Sequence, residues 1–226
     1  NNHMLFYGQS LSVGANAGSL ISVSQPYSNV TFQGGPRAYT GAAYSWSPLK
    51  PLVEDEVSPA PDGGTNRKES PCSGAANYAT TLAALDGIDP TSHVILASTA
   101  GRGGYRIDQL EDGTAWWDIF EDHVNEAFTI NTDYACHAVC WLQGENDVVA
   151  DTSYATYRSK LEALQASAEA HVKSVNSQTG PVFLLTYQLS YGILTTPAIA
   201  DAQLDLAQNN SKTFLVTPTY HIEHQT

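Results

Sequence analysis

The sequence predicts an α/β domain of three layers, α/β/α, around a mainly parallel central sheet of about five strands. Three observations predict it. Short apolar runs alternate with longer amphipathic stretches along most of the chain, and crossover helices between parallel strands require that alternation. Hydrophobic residues make up 42% of the composition, which provides a packed core. The 226 residues suit one domain rather than two.

Taken in order, Asn1-Asn2-His3-Met4 has the look of an expression-vector remnant. The domain is therefore expected over residues 5–226, as a piece excised from a longer parent. Leu5–Gln9 reads as the first strand. It runs into Ser10 and the small residues that follow, a pattern that can begin a helix. Residues 24–70 are rich in Gly, Pro, Ser and Tyr without sustained period and read as a long irregular insertion. A loop of that length in a compact domain is usually functional. Cys72–Leu85, after Ser70-Pro71, has helical spacing with a proline in the first turn. His93–Thr99 reads as a buried strand, Trp116–Ile130 as a helix and Ala135–Leu142 as another strand. Tyr154–Val175 carries Leu161, Leu164, Ala168 and Val172 on one helical face. Val182–Tyr187, Pro197–Gln208 and Thr213–Val216 complete the alternation as strand, helix and strand.

Composition excludes several classes. The formal net charge is −13 with only 10 Lys+Arg, so the surface repels phosphate backbones and no nucleic-acid partner is expected. No apolar run approaches the ~18–20 residues of a membrane span, so no membrane partner is expected either. Of the three cysteines, Cys136 and Cys140 share a strand-like run. Four positions along a strand span roughly 13 Å at about 3.3 Å per residue, beyond the reach of a disulfide. No Cys/His spacing matches a zinc site, so buried thiols are expected and no metal. Low lysine with abundant Tyr, Ser, Thr, Asn and Gly points to an extracellular or virion-surface location.

Ligands of parallel sheets sit at the carboxyl ends of the strands, and three segments should converge there. Gly8-Gln9-Ser10 places a serine hydroxyl at that edge, beside N–H groups able to steady an oxyanion. Ala100-Gly101-Arg102-Gly103-Gly104 follows the strand ending at Thr99, and its glycines let backbone approach a ligand closely. Trp141-Leu142-Gln143-Gly144-Glu145-Asn146-Asp147 ends the next strand, and an Asn there can donate to a developing oxyanion.

Together these blocks, with Ile107 after Gly103-Gly104, resemble the SGNH hydrolase superfamily. The branch they resemble holds the sialate O-acetylesterase-like and acetylxylan-esterase-like carbohydrate esterases, with relatives in phage tail proteins. The resemblance spans roughly residues 5 to 220, and the insertion is poorly covered. It implies a flavodoxin-like fold and a serine esterase without metal or organic cofactor. Ser10 then matches the nucleophile, with its own N–H in the oxyanion hole. Gly103 matches the second-block glycine if Ile107 anchors the alignment, and Gly101 if Ala-Gly-Arg does. Asn146 matches the third oxyanion donor. Gln9, Gln143 and Glu145 belong to the signature blocks as substrate-side, orienting residues.

The family closes with an Asp-x-x-His block, whereas this chain closes with Pro218-Thr219-Tyr220-His221-Ile222-Glu223-His224-Gln225-Thr226. Two readings stay open: the Asp and His lie beyond Thr226 in the parent, or His224 is the base with His221 or Glu223 in place of the Asp. The expected function is removal of O-acetyl groups from a glycan through an acyl-enzyme. The alternative is a catalytically silent carbohydrate-binding or structural module of a virion fibre. The expected partner is an acetylated carbohydrate, within a larger multidomain or oligomeric protein.

Other residues carry two readings each. Arg102 and Arg106 flank the glycine loop and either meet a sugar carboxylate or form structural salt bridges. Trp116-Trp117, Trp46, Tyr27, Tyr39 and Tyr44 either stack on sugar rings or pack the core. His93, His123, His137 and His171 read as ordinary satisfied histidines, and Glu54-Asp55-Glu56 as a solvated face.

Overall fold

A computed structural model describes residues 1–40, 45–55 and 63–220. The elements run β1 (Asn2–Gly8), β2 (Val30–Thr31), β3 (Lys50–Pro51), α1 (Pro71–Leu85), β4 (Ile95–Thr99) and a 3-10 turn at Ile107–Gln109. They continue as α2 (Trp117–Ile130), β5 (Ala135–Leu142), α3 (Glu145–Val149), α4 (Tyr154–Asn176), β6 (Phe183–Gln188), α5 (Ala198–Asn209) and β7 (Thr213–Pro218). One sheet forms in the order β3-β2-β4-β1-β5-β6-β7. Every neighbouring pair is parallel except β2–β3.

The five longer strands are the expected ones. The sheet gains two more because the insertion contributes the two-residue strands β2 and β3. β1 also begins at Asn2, three residues before the expected Leu5, and His3 is buried. The order β4-β1-β5-β6-β7 reverses direction of growth at β1, and a doubly wound sheet opens a ligand crevice at that switch point.

One face of the sheet is covered by α2, α4 and α5, and Leu161, Leu164, Ala168 and Val172 of α4 pack there as their spacing predicts. The other face packs Phe6, Ile95, Ala97 and Cys140 against Cys72 and Ala76 of α1. The register slips between His3 and Met4, which pair with Cys136 and Ala138. That bulge at His137 sends Cys136 and Cys140 to opposite faces. All three cysteines are free and buried, and burial pushes Cys136 and Cys140 up to about 12, so they are inert packing residues. Among the described residues the α1 layer does not reach across β6 and β7. An apolar channel of about 730 Å³ remains there, lined by Met4, Tyr78, Leu82, Leu185 and Val216.

The helix ends follow local chemistry. Ser70 caps α1 by accepting from Cys72 N–H, with Pro71 in the first turn, and Ser153 caps α4 by accepting from Thr156 N–H. Glu54 corrects the expectation of a solvated acidic face. Its Oε1 accepts from the Ser70 and Ser73 hydroxyls at 2.7 and 3.0 Å, and Oε2 lies 3.7 Å from buried Arg37. Burial raises the Glu54 pKa against these lowering partners. Arg37 also donates to the carbonyls of Val13, Lys68 and Asp55, so this group fastens the insertion to the sheet edge. Asp55 is partly exposed, and Glu56 lies outside the described residues.

Candidate active site

Gly8 ends β1 at φ +136°, and a Cβ there would stand 2.2 Å from the Leu142 carbonyl oxygen. Only glycine lets the two strand ends approach this closely. Gly8→Ala is therefore expected to destabilise the fold by roughly 1–3 kcal/mol, read as a lower urea midpoint. The chain then departs from the expected helix. Residues 10–14 form successive turns in which Ser12 N–H and Oγ both donate to Gln9 O at 2.9 and 2.7 Å, and Ala15 N–H donates to Ser10 O at 2.9 Å. Small residues allow that tight path, and too few helical hydrogen bonds follow to nucleate a helix. Ser10 is half-buried at the turn's apex, with no described side chain hydrogen-bonded to its hydroxyl.

The glycine loop after β4 folds against this turn. Arg102 N–H donates to Gly8 O at 2.8 Å. A Cβ on Gly101 would lie 1.9 Å from Ser12 Oγ, so Gly101 is a packing glycine under the turn. Gly103 is half-buried, and Gly104 has φ +77°. On the other side of β1, the loop after β5 opens with Gln143 and becomes the short helix α3, which the sequence pattern did not reveal. Gln9 N–H donates to Leu142 O at 2.8 Å, and Gln9 Oε1 accepts from Asn146 N–H at 3.3 Å. The Asn146 side-chain amide donates to Gly104 O. Ser10, the glycine loop and Asn146 thus meet at the ends of β1, β4 and β5, three neighbouring strands.

Beneath them lies a buried polar network. Asp147 Oδ2 accepts from Ile107 N–H at 2.9 Å and from Gln143 Nε2, and Oδ1 accepts from Thr152 Oγ at 2.7 Å. Gln143 Nε2 also donates to Tyr105 O at 3.2 Å, while Tyr157 O–H donates to Gln143. Gln203 Nε2 reaches Gln143 O at 2.9 Å. Asp147→Ala should orphan these donors and destabilise the fold by about 1–3 kcal/mol, measured by urea unfolding. Glu145 accepts from Tyr187 O–H at 2.7 Å, and burial, then this carboxylate, raises the Tyr187 pKa. Tyr157, Tyr187 and Gln203 lie in helices or strands, where nothing in the sequence distinguishes them from core residues.

The strand ends open onto a cleft of about 1160 Å³, bordered by Leu11, Glu145, Gln188, Tyr191, Leu194 and Tyr220. β7 reaches the same edge, and Thr219 N–H donates to Gln188 O at 3.0 Å. His224, with His221 and Glu223, lies outside the described residues, as does Tyr44. Arg106 forms a two-point pair with Asp108 at 3.1 and 2.9 Å, which makes it structural. Trp117 is buried in the core, and Trp46 packs edge-on against Phe32 and His123. Among the described residues no group of three or more His, Cys, Asp or Glu is placed to hold a metal ion, and no helix is long and apolar enough to cross a membrane.

A sequence profile described as carbohydrate esterase, sialic acid-specific acetylesterase matches residues 45–217. The chain belongs to that family. The matched stretch takes in the glycine loop and the Gln143–Asp147 block of this acetylesterase. Gly8-Gln9-Ser10 precedes the stretch and is joined to it by the contacts above. No curated protein sequence matches the acetylesterase. Its fold is similar to that of a protein from Arabidopsis thaliana, with TM-score 0.70 and 17% identity over 100% of this chain and 88% of that one. It is also similar to NanS, with TM-score 0.69 and 16% identity over 99% of this chain and 78% of that one. A third similar structure is a carbohydrate acetylesterase from Xanthomonas citri, with TM-score 0.55 and 16% identity over 99% of this chain and 51% of that one. At such identities these likenesses establish the fold alone.

Proposed function

We propose that the acetylesterase removes O-acetyl groups from a carbohydrate through an acyl-enzyme on Ser10. The observation that carries this reading is the meeting of Ser10, Gly101–Gly104 and Asn146 at one sheet edge, through Gln9 Oε1 to Asn146 N–H and Asn146 Nδ2 to Gly104 O. Ser10 Oγ attacks the acetyl carbonyl, and the sugar–oxygen bond to that carbon breaks. The serine proton passes through a base to the leaving sugar hydroxyl. Water then attacks the acyl-enzyme, releasing acetate and restoring Ser10.

The oxyanion is held by Ser10 N–H, Gly103 N–H and the Asn146 side-chain amide. An amide nitrogen has two hydrogens, so Asn146 keeps its bond to Gly104 O while donating the second. Gln9, Gln143 and Glu145 orient this set, and Gly101 provides the close packing beneath it. The base is a histidine from the segment after β7, of which His224 is the candidate in this chain. In support, β7 leaves the sheet at the edge where β1 ends.

A fluorophosphonate probe tests this reading, because it bonds only to an activated serine. One adduct per chain, mapped to Ser10, and acetate released from O-acetylated sugars are expected. An unlabelled, folded chain that releases no acetate would favour the silent binding module instead. Labelling lost in His224→Ala with the fold intact would identify His224 as the base.

A further inference from the structure

We infer that the loop joining β6 to α5 is a second sugar subsite, in which Tyr191 stacks on the ring beside the acetylated one. The acetylesterase then acts on oligosaccharides rather than on free monosaccharides. This deepens the proposed function and rests on it. The oxyanion donors come from the ends of β1, β4 and β5, whereas the proposed base comes from the segment after β7. A leaving oxygen that takes its proton from that base lies on the β7 side of Ser10. Its sugar therefore enters the cleft bordered by Leu11, Gln188, Tyr191, Leu194 and Tyr220. Sites for drug-sized ligands run from about 300 to 1,000 Å³. At about 1160 Å³, this cleft has room for more than one sugar ring.

The loop is firmly seated. Leu189 N–H donates to the buried Gln203 side chain at 3.0 Å, and Ile193 packs against the main core. Gly192 O accepts from the N–H groups of Thr195 and Thr196 at 3.0 and 2.7 Å. Gly192 itself has φ +71°, and a Cβ there would stand 2.7 Å from Val148 Cγ1, so the loop rests directly on α3. Thr219 N–H and Oγ both donate to Gln188 O, at 3.0 and 3.1 Å, which ties the end of β7 to the start of the loop. On this fixed frame two large apolar side chains are held in solvent: Tyr191 is 54% exposed and Leu194 96%. Scattered singly they would call for no explanation, but both border the cleft that begins at Leu11, the neighbour of Ser10. A tyrosine ring offers a flat apolar face and a polar tip. A sugar ring answers both, with C–H groups on its face and hydroxyls at its edge. Gln188, Ser190 and Thr219 add polar groups to the same lining. That mixture suits a saccharide, whereas an acyl chain would call for an unbroken apolar wall.

The test measures acetate release from mono-, di- and tetrasaccharides of xylose and of sialic acid, each carrying one acetyl group. In the wild type, kcat/KM should rise about 10–100-fold from the monosaccharide to the tetrasaccharide of the sugar that is turned over, as burial of one ring face predicts. Tyr191→Ala should bring that ratio to within about 3-fold, and Tyr191→Phe, which keeps the ring, should retain it. Calorimetric binding of the same saccharides without acetyl groups gives the comparison without turnover, so failure of the esterase reading and failure of this one are separable. Equal handling of all lengths by the wild type would overturn the inference. So would a length preference that survives in a folded Tyr191→Ala chain. A preference for p-nitrophenyl octanoate over the acetate that Tyr191→Ala removes would also overturn it, because the cleft would then hold an acyl chain.

Discussion

Ser10→Ala is expected to lower kcat/KM for acetate release by at least about 10⁴-fold, equivalent to ~5.5 kcal/mol of transition-state stabilisation. The loss is large because alanine leaves no atom to form the acyl bond. Only the oxyanion donors and the bound sugar then act on an attacking water. The fold should be indifferent to the change. Ser10 Oγ has no described side-chain partner, so its removal orphans no buried donor or acceptor, and the turn is held by Gln9 O, Ser12 and Ala15 instead. Steady-state acetate release and thermal melting on the same preparation separate the two effects. A variant that keeps turnover within tenfold of wild type would remove Ser10 from the mechanism.

The alternation of strands and helices was legible because its periods are long and its apolar faces regular. α4 shows this best, since its four spaced apolar residues all pack under the sheet. The signature blocks were equally legible, because a glycine forced by close strand approach, as at Gly8, leaves a mark in sequence. Short elements left none. α3 has five residues, and β2 and β3 have two each, too few to show a period. The turn after Ser10 was misread as a helix start because small residues serve both conformations. Charge was the least readable property. Glu54 looks like part of a solvated run, yet long-range contacts with Arg37 and Ser70 bury it. Arg102 and Arg106 are indistinguishable in sequence, and only the fold gives Asp108 to one and two aromatic rings to the other.

Acidification from pH 7.5 to pH 5 is expected to remove about 4 kcal/mol of stability through one buried pair of histidines. His3 Nε2 and His123 Nδ1 both lie 2.9 Å from Ser98 Oγ, and both rings are fully sequestered near Phe32, with Trp46 beside His123. Burial pushes each down to about 3 from the ordinary 6.5, and proximity to His3 adds to the depression at His123. The folded state therefore holds both rings neutral at a pH where the unfolded chain already binds protons. The stabilisation is complete above about 6.5 and drains away as pH falls towards 3. At pH 5 the unfolded value is ~1.5 units above the solvent, which makes the loss about 2 kcal/mol for each histidine at 1.36 kcal/mol per unit. The backbone of Ala38 favours the protonated His123 ring, and burial outweighs it. Urea unfolding at the two pH values measures the sum, with His123→Asn separating its share from that of the surface carboxylates. The pH-dependent loss should shrink by about 2 kcal/mol in that variant. An undiminished loss would place the acid sensitivity elsewhere in this strongly acidic chain.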